Sequence, residues 1–170
     1  MKKLLVLFAF VLGIGFQSNA QKMAYVDMDY ILKAMPAYQR AQKSLDEFSA
    51  TWQKDIETKM AEVSKMYNTF QSEQVLLTES LKQQRMAAIE AKEKEIKQLQ
   101  KDKFGPSGEL FKKRQELIKP IQDQVYNEIQ KLATEKKYDF IFDKANGPYM
   151  LYVNPLYDKS DEILQGLGIK

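Results

Sequence analysis

The sequence predicts an α+β fold that is predominantly α, a long antiparallel helical coiled-coil hairpin carried on a small β-containing body. Three observations predict it. Residues 36–137 are rich in Gln, Lys, Glu and Ala with regularly spaced apolar residues, a helix-forming composition. The flanks, 21–35 and 138–170, are instead rich in Tyr, Phe, Ile and Val with turn residues between them. Interruptions at 71–84 and 104–108 divide the helical stretch, so the chain has to fold back on itself.

Residues 1–20 read as a secretory signal peptide. Lys2 and Lys3 precede an apolar run at 4–16, and Ser18 and Ala20 put small residues three before and one before Gln21. The run is shorter than the roughly twenty residues needed to span a bilayer, and no Cys lies near the break to carry a lipid. The expected location is therefore the periplasm, with no transmembrane segment after cleavage.

In the outgoing arm the apolar residues Tyr38, Ala41, Leu45, Phe48, Trp52, Ile56, Met60, Val63, Tyr67 and Phe70 are spaced by threes and fours, the seam of a coiled coil. An extra step of four at Ile56 reads as a stutter. Pro36 suits a first helical turn, where its missing N–H leaves nothing unsatisfied. A second helix is expected from Thr78 or Ser80, with Ser80 and Gln83 at capping-box spacing. Its seam, Leu81, Ala88, Ile89, Ile96 and Leu99, is thinner. Helix resumes at Glu109 with Ile118, Ile121, Val125, Ile129 and Leu132 on one face, and Pro120 is expected to kink it.

Arm length locates the hairpin tip. A helix rises 1.5 Å per residue, so a tip at Gly105 would pair an arm of about 100 Å with one of about 40 Å. The C-terminal strands would then miss the N-terminal one. A tip within 71–84 gives nearly equal arms and makes residues 105–108 a kink in the return arm. Alanine at Gly105 and Gly108 is expected to stiffen that kink.

In the flanks, strands are expected at 23–26, 138–142 and 149–153, with Asn146, Gly147 and Pro148 turning the last two. Asp27 is placed to cap a short helix over 28–33, and Ser160, Asp161 and Glu162 open a terminal helix. So small a body buries too little apolar surface to stand alone, which points to a homo-oligomer built through it. Tyr25, Val26, Phe140, Ile141, Phe142 and Tyr152 are the candidate oligomerisation residues.

Composition excludes much. Without residues 1–20, which hold two of the 26 basic residues and none of the 23 acidic ones, the chain carries a net charge of only +1. That is too little for the basic stripe of a nucleic-acid binder. There is no Cys and no His, so zinc, haem and iron–sulfur sites lack their usual ligands and a catalytic nucleophile lacks its usual base. Asp27, Asp29, Asp139 and Asp143 read as residues that cap and bound strands. No catalytic residue, metal or cofactor is expected, and the protein reads as a non-enzyme.

The order of these parts resembles the Skp/OmpH family of periplasmic chaperones. The matching residues are Lys22-Met23-Ala24-Tyr25-Val26-Asp27 leading into Ile31-Leu32, then the charged hairpin, the apolar face from Ile121 to Leu132, Tyr138-Asp139-Phe140-Ile141-Phe142-Asp143, and Asp161-Glu162-Ile163-Leu164. The resemblance implies a homotrimer whose hairpins hang as tentacles around a cavity. It further implies ATP-independent holding of unfolded outer-membrane proteins there, and the chain has no phosphate-binding Gly-rich loop. The near-neutral charge argues against the lipopolysaccharide contact made by the strongly basic members. Met66, Leu76, Leu77 and Met86, near the tip and off the counted seam, are the candidate client-binding residues. The alternative is an envelope structural or adaptor coiled-coil protein with one fixed partner.

Overall fold

A computed structural model describes residues 21–147 and 150–169. The signal-peptide reading of residues 1–20, and the parts of the expected turn and third strand at Pro148 and Tyr149, lie outside the described residues.

Strand β1 (Met23–Val26) leads into helix α1 (Met28–Ala34), whose start is capped by the Asp27 carboxylate accepting from the Tyr30 N–H at 3.0 Å. Pro36 forces the residue before it out of helical geometry, so Met35 is extended and the chain turns into helix α2 (Pro36–Glu73). At 38 residues α2 is about 57 Å long. A tight turn over residues 74–78 reverses the chain into α3 (Glu79–Phe104), after which residues 105–108 break the helix before α4 (Glu109–Lys136). The cap of α3 is Thr78, whose hydroxyl accepts from the Leu81 N–H, and not the expected Ser80–Gln83 box. Pro120 sits exposed inside α4, which continues on both sides of it. Lys137 then closes α4 in the left-handed region, and the Tyr138 N–H donates back to the Ala133 carbonyl at 2.9 Å.

Strand β2 (Phe140–Asp143) returns beside β1 in a two-stranded parallel sheet, pairing Met23 with Phe140 and Val26 with Asp143. Parallel neighbours need a long crossover, and here the whole hairpin supplies it. The third strand expected at 149–153 is not formed by its described residues, 150–153. The slot beside β1 is taken instead by Asp158 in a single bridge to Tyr25, with the Lys159 N–H donating to the Tyr25 carbonyl at 2.9 Å. The bridge stays single because a 3-10 turn (Pro155–Tyr157) precedes it and helix α5 (Ser160–Gly166) begins two residues later.

Ser160 ties this junction together. Its buried hydroxyl donates to Asp158 Oδ1 at 2.6 Å and accepts from the Asp27 N–H at 2.8 Å, satisfying a backbone donor that neither β1 nor α1 uses. The core lies directly beneath, where Val26, Ile31, Leu32, Val125, Leu132, Ile163 and Leu164 meet Ala41 and Leu45 of α2.

The hairpin seam differs in phase from the apolar count. From Leu45 onward the inward positions of α2 run Leu45, Ser49, Trp52, Ile56, Lys59, Val63, Met66, Phe70 and Glu73, an unbroken alternation of fours and threes. The stutter at Ile56 therefore disappears. Polar residues occupy seam positions, and the apolar residues Phe48, Met60 and Tyr67 lie exposed beside it. Lys59 is tolerated on the seam because it reaches Glu95 of α3 at 3.5 Å. Glu95 also accepts from Lys92 at 3.0 Å, and that hydrogen bond, with the two ammonium charges, lowers its pKa.

Candidate interaction surfaces

Among the described residues, the most exposed apolar side chains gather at the two ends of the molecule. The far end is the turn between α2 and α3. Its sequence, Gln74 to Thr78, carries no charge, and Val75 and Leu76 are 88% and 87% exposed. Leu77 is half-buried under them. Folding buries an apolar side chain where it can, so two nearly bare aliphatic residues at the tip of an arm about 57 Å long make this end a candidate contact surface. Just below, the charges cancel in pairs, Lys82 with Glu79 at 3.4 Å and Arg85 with Glu73 at 3.9 Å.

The four residues expected at this end are not equivalent. Leu76 is presented outward, whereas Met66 and Met86 are half-buried seam residues facing the opposite arm. Val75 was not among the expected residues. The signal for it is local: an uncharged Val-Leu-Leu run inside the 71–84 interruption that arm length picks out as the turn.

The near end is the outer face of the sheet. Residues paired across a sheet share a face, so Met23 and Tyr25 lie with Phe140 and Phe142, while Val26 and Ile141 face the helical core. Phe140 and Phe142 stack at 6.2 Å and remain exposed, as does Met23. Of the six residues expected to drive assembly, Tyr25 and Val26 are buried within the chain itself. Burial and the Asp158 carboxylate raise the Tyr25 phenol pKa. Ile141 is half-buried against the core, and Phe140, Phe142 and Tyr152 are the ones presented. Sequence reasoning missed Leu151 and Leu156, which are fully and 80% exposed on the loop that walls an open cleft of about 490 Å³ beside this face. Leu151 stands in the apolar run that reads as a third strand, and Leu156 follows Pro155 in a turn, so neither is marked by its pattern as exposed surface.

Three of the four aspartates bind backbone, and Asp29 instead pairs with the Lys33 ammonium at 3.4 Å. Asp27 caps α1, Asp139 accepts from the Lys22 N–H at 2.7 Å, and Asp143 accepts from Met28 and Ala145. Among the described residues no group of three or more acidic side chains is placed to hold a metal ion, and no helix is long and apolar enough to cross a membrane.

A long helical hairpin on a two-stranded parallel body, with apolar surface at both ends, defines the class of protein. The family model described as outer membrane protein (OmpH-like) matches residues 22–167, and the chain belongs to that family. An uncharacterized protein of Aquifex aeolicus (strain VF5) is 28% identical over 167 residues, covering 98% of this chain and 96% of that one. The fold is similar to the crystal structure of a protein from Caulobacter crescentus CB15 assigned as an outer membrane chaperone (OmpH-like). The TM-score is 0.68 at 12% identity, over 90% of this chain and 88% of that one.

Proposed function

We propose that the protein is an ATP-independent periplasmic holdase that binds unfolded outer-membrane proteins and prevents their aggregation. The observation that carries this reading is the pair of bare aliphatic side chains, Val75 and Leu76, at the end of a long arm in an OmpH-like chain. Such contacts are weak one at a time. Several arms around one unfolded chain raise the effective concentration of each contact and hold the client without a tight site. Release then needs only a competing folding or insertion event.

Several arms require several copies, and the body has the surface for it. Parallel sheets are as a rule covered on both faces, and two strands alone are marginal. Here one face carries the helices and the other leaves Met23, Phe140 and Phe142 open. Assembly of the bodies, as a trimer, covers it. Changing Phe140 and Phe142 together to serine should move the sedimentation coefficient from that of an oligomer to that of a monomer at micromolar concentration. An unchanged coefficient would place the assembly surface elsewhere.

The direct test is light scattering of a urea-unfolded outer-membrane β-barrel protein diluted with and without the chain. Suppression at about three chains per client, unchanged by ATP, is the expected result. A folded chain that suppresses nothing, and pulls down one folded envelope protein at fixed stoichiometry, would favour the adaptor reading.

A further inference from the structure

The break at residues 105–108 faces a cluster of rings and cations that belongs to neither end of the molecule. On α2, Phe48 and Trp52 stack at 5.7 Å. Phe104, the last residue of α3, meets Trp52 edge-on at 6.2 Å. Lys103 places its ammonium 4.9 Å from the centre of the Trp52 ring and 2.7 Å from Glu109 Oε2 on the far side of the break. Lys113 of α4 lies 5.8 Å over the Phe48 ring. One knot thus joins the end of α3, the start of α4 and the middle of α2.

The knot lies between two packing units. On the body side, Ala41, Leu45, Ile118, Ile121, Val125 and Leu132 belong to one continuous core. On the tip side only Ile56, Ile89 and Ile96 are fully buried, and none of them joins that core. The return arm is already severed here. Its loop borders an open cleft of about 520 Å³ walled by Lys101, Asp102, Pro106 and Lys112, so it has room to move. The outgoing arm is continuous but softened, because the Thr51 and Thr58 hydroxyls donate to the Glu47 and Lys54 carbonyls one turn back, a pattern that bends helices.

Glycine is needed in the loop for space, not for mobility. A Cβ at Gly108 would lie 2.8 Å from the Asp102 carbonyl oxygen, and one at Gly105 would overlap that of Lys101. Alanine at these sites would disrupt the turn instead of stiffening it, which corrects the expectation drawn from the sequence.

We propose that the Phe48–Trp52–Phe104 cluster with Lys103 and Glu109 is a latch that sets the angle between the outer hairpin and the body, and that its release lets the outer hairpin swing as a unit. Lys103 is the key member, since it alone touches both the ring and the opposite side of the break. The inference does not depend on what the arms hold.

The chain has no cysteine and one tryptophan, so both readouts are clean. Spin labels at S80C and Q130C, on exposed positions either side of the break, report the angle as a distance. Labelled chain is diluted into excess unlabelled chain so that only distances within one copy are read. The unmodified latch should give one narrow distribution. K103M, which keeps the stem and removes the charge, should at least double its width and shift Trp52 emission to the red, with helicity at 222 nm unchanged. E109Q should give an intermediate width, and K92M, which breaks a pair higher on the arm, should change neither readout. An unaltered distribution in K103M overturns the latch. So does lost helicity, which would make the cluster a fastening for the helices themselves, and so does equal broadening in K92M.

Discussion

Replacing Ile163 with alanine should lower the midpoint of thermal unfolding by roughly 5–20 °C at fixed protein concentration, the expected result of a loss of about 2–5 kcal/mol. Ile163 is completely buried in α5, a helix of only seven residues that packs against both α1 and α4. A helix so short has no stability of its own, so its place in the fold rests on what Ile163 and Leu164 bury. The sites they fill are lined by Ile31 and Val125, also fully buried, which cannot collapse without moving the base of the hairpin. The same change would loosen Ser160 at the head of α5 and with it the Asp27 cap of α1. Heat-monitored circular dichroism reads the effect. A shift below about 2 °C would mean that α5 lies outside the cooperative unit and that the body is held by α1 and α4 alone.

The contrast with the outer hairpin shows what the sequence discloses and what it does not. The arms were legible because helical periodicity is a local property, and the long run of spaced apolar residues admits no other regular structure. The phase of the seam was not. Counting apolar residues led through Phe48, Met60 and Tyr67, whereas the helices meet along Ser49, Lys59 and Met66. A seam is chosen by what faces it, and Lys59 belongs there only because Glu95 arrives from 36 residues away. The body was read in part for the same reason. β1 is a self-evident apolar run, but its partner on one side is a single residue, Asp158, placed by a 3-10 turn and a helix start. No strand-like pattern announces a one-residue bridge. The cluster around Trp52 is the extreme case, since Phe104 and Lys113 reach it from some fifty to sixty residues further along the chain and each, taken alone, is an ordinary arm residue.

That Met60 and Tyr67 are spare, and not spent on the seam, bears on where a client would touch. Both lie along the flank of α2, so client contact spread over the flank competes with contact confined to the tip. The tip has the stronger claim on physical grounds. Val75 and Leu76 are nearly bare and unhindered, whereas Met60 borders a shallow groove shared with Glu93 and Lys97, whose desolvation would oppose binding.

The V75S/L76S variant should accordingly lose most of its power to suppress aggregation of an unfolded β-barrel protein, while melting within about 1 kcal/mol of the parent. Val75 and Leu76 add almost nothing to the fold, being exposed, so stability has little to lose. Their burial by a client is worth about 1.5–3 kcal/mol each when complete, and half of that already amounts to roughly tenfold in affinity for each arm. Because the arms act together, loss at every tip compounds, and at least a tenfold higher chain concentration should be needed for half suppression. The M60S/Y67S variant is the flank control, removing two half-exposed apolar side chains there. Tip variant impaired and flank variant intact would place capture at the arm ends. The reverse would make the inner or outer sides of the arms the binding surface and leave the bare tip without a part in holding clients. Equal, partial losses in both would mean that the client is held along the whole arm, with no site in the ordinary sense and affinity set by apolar area alone.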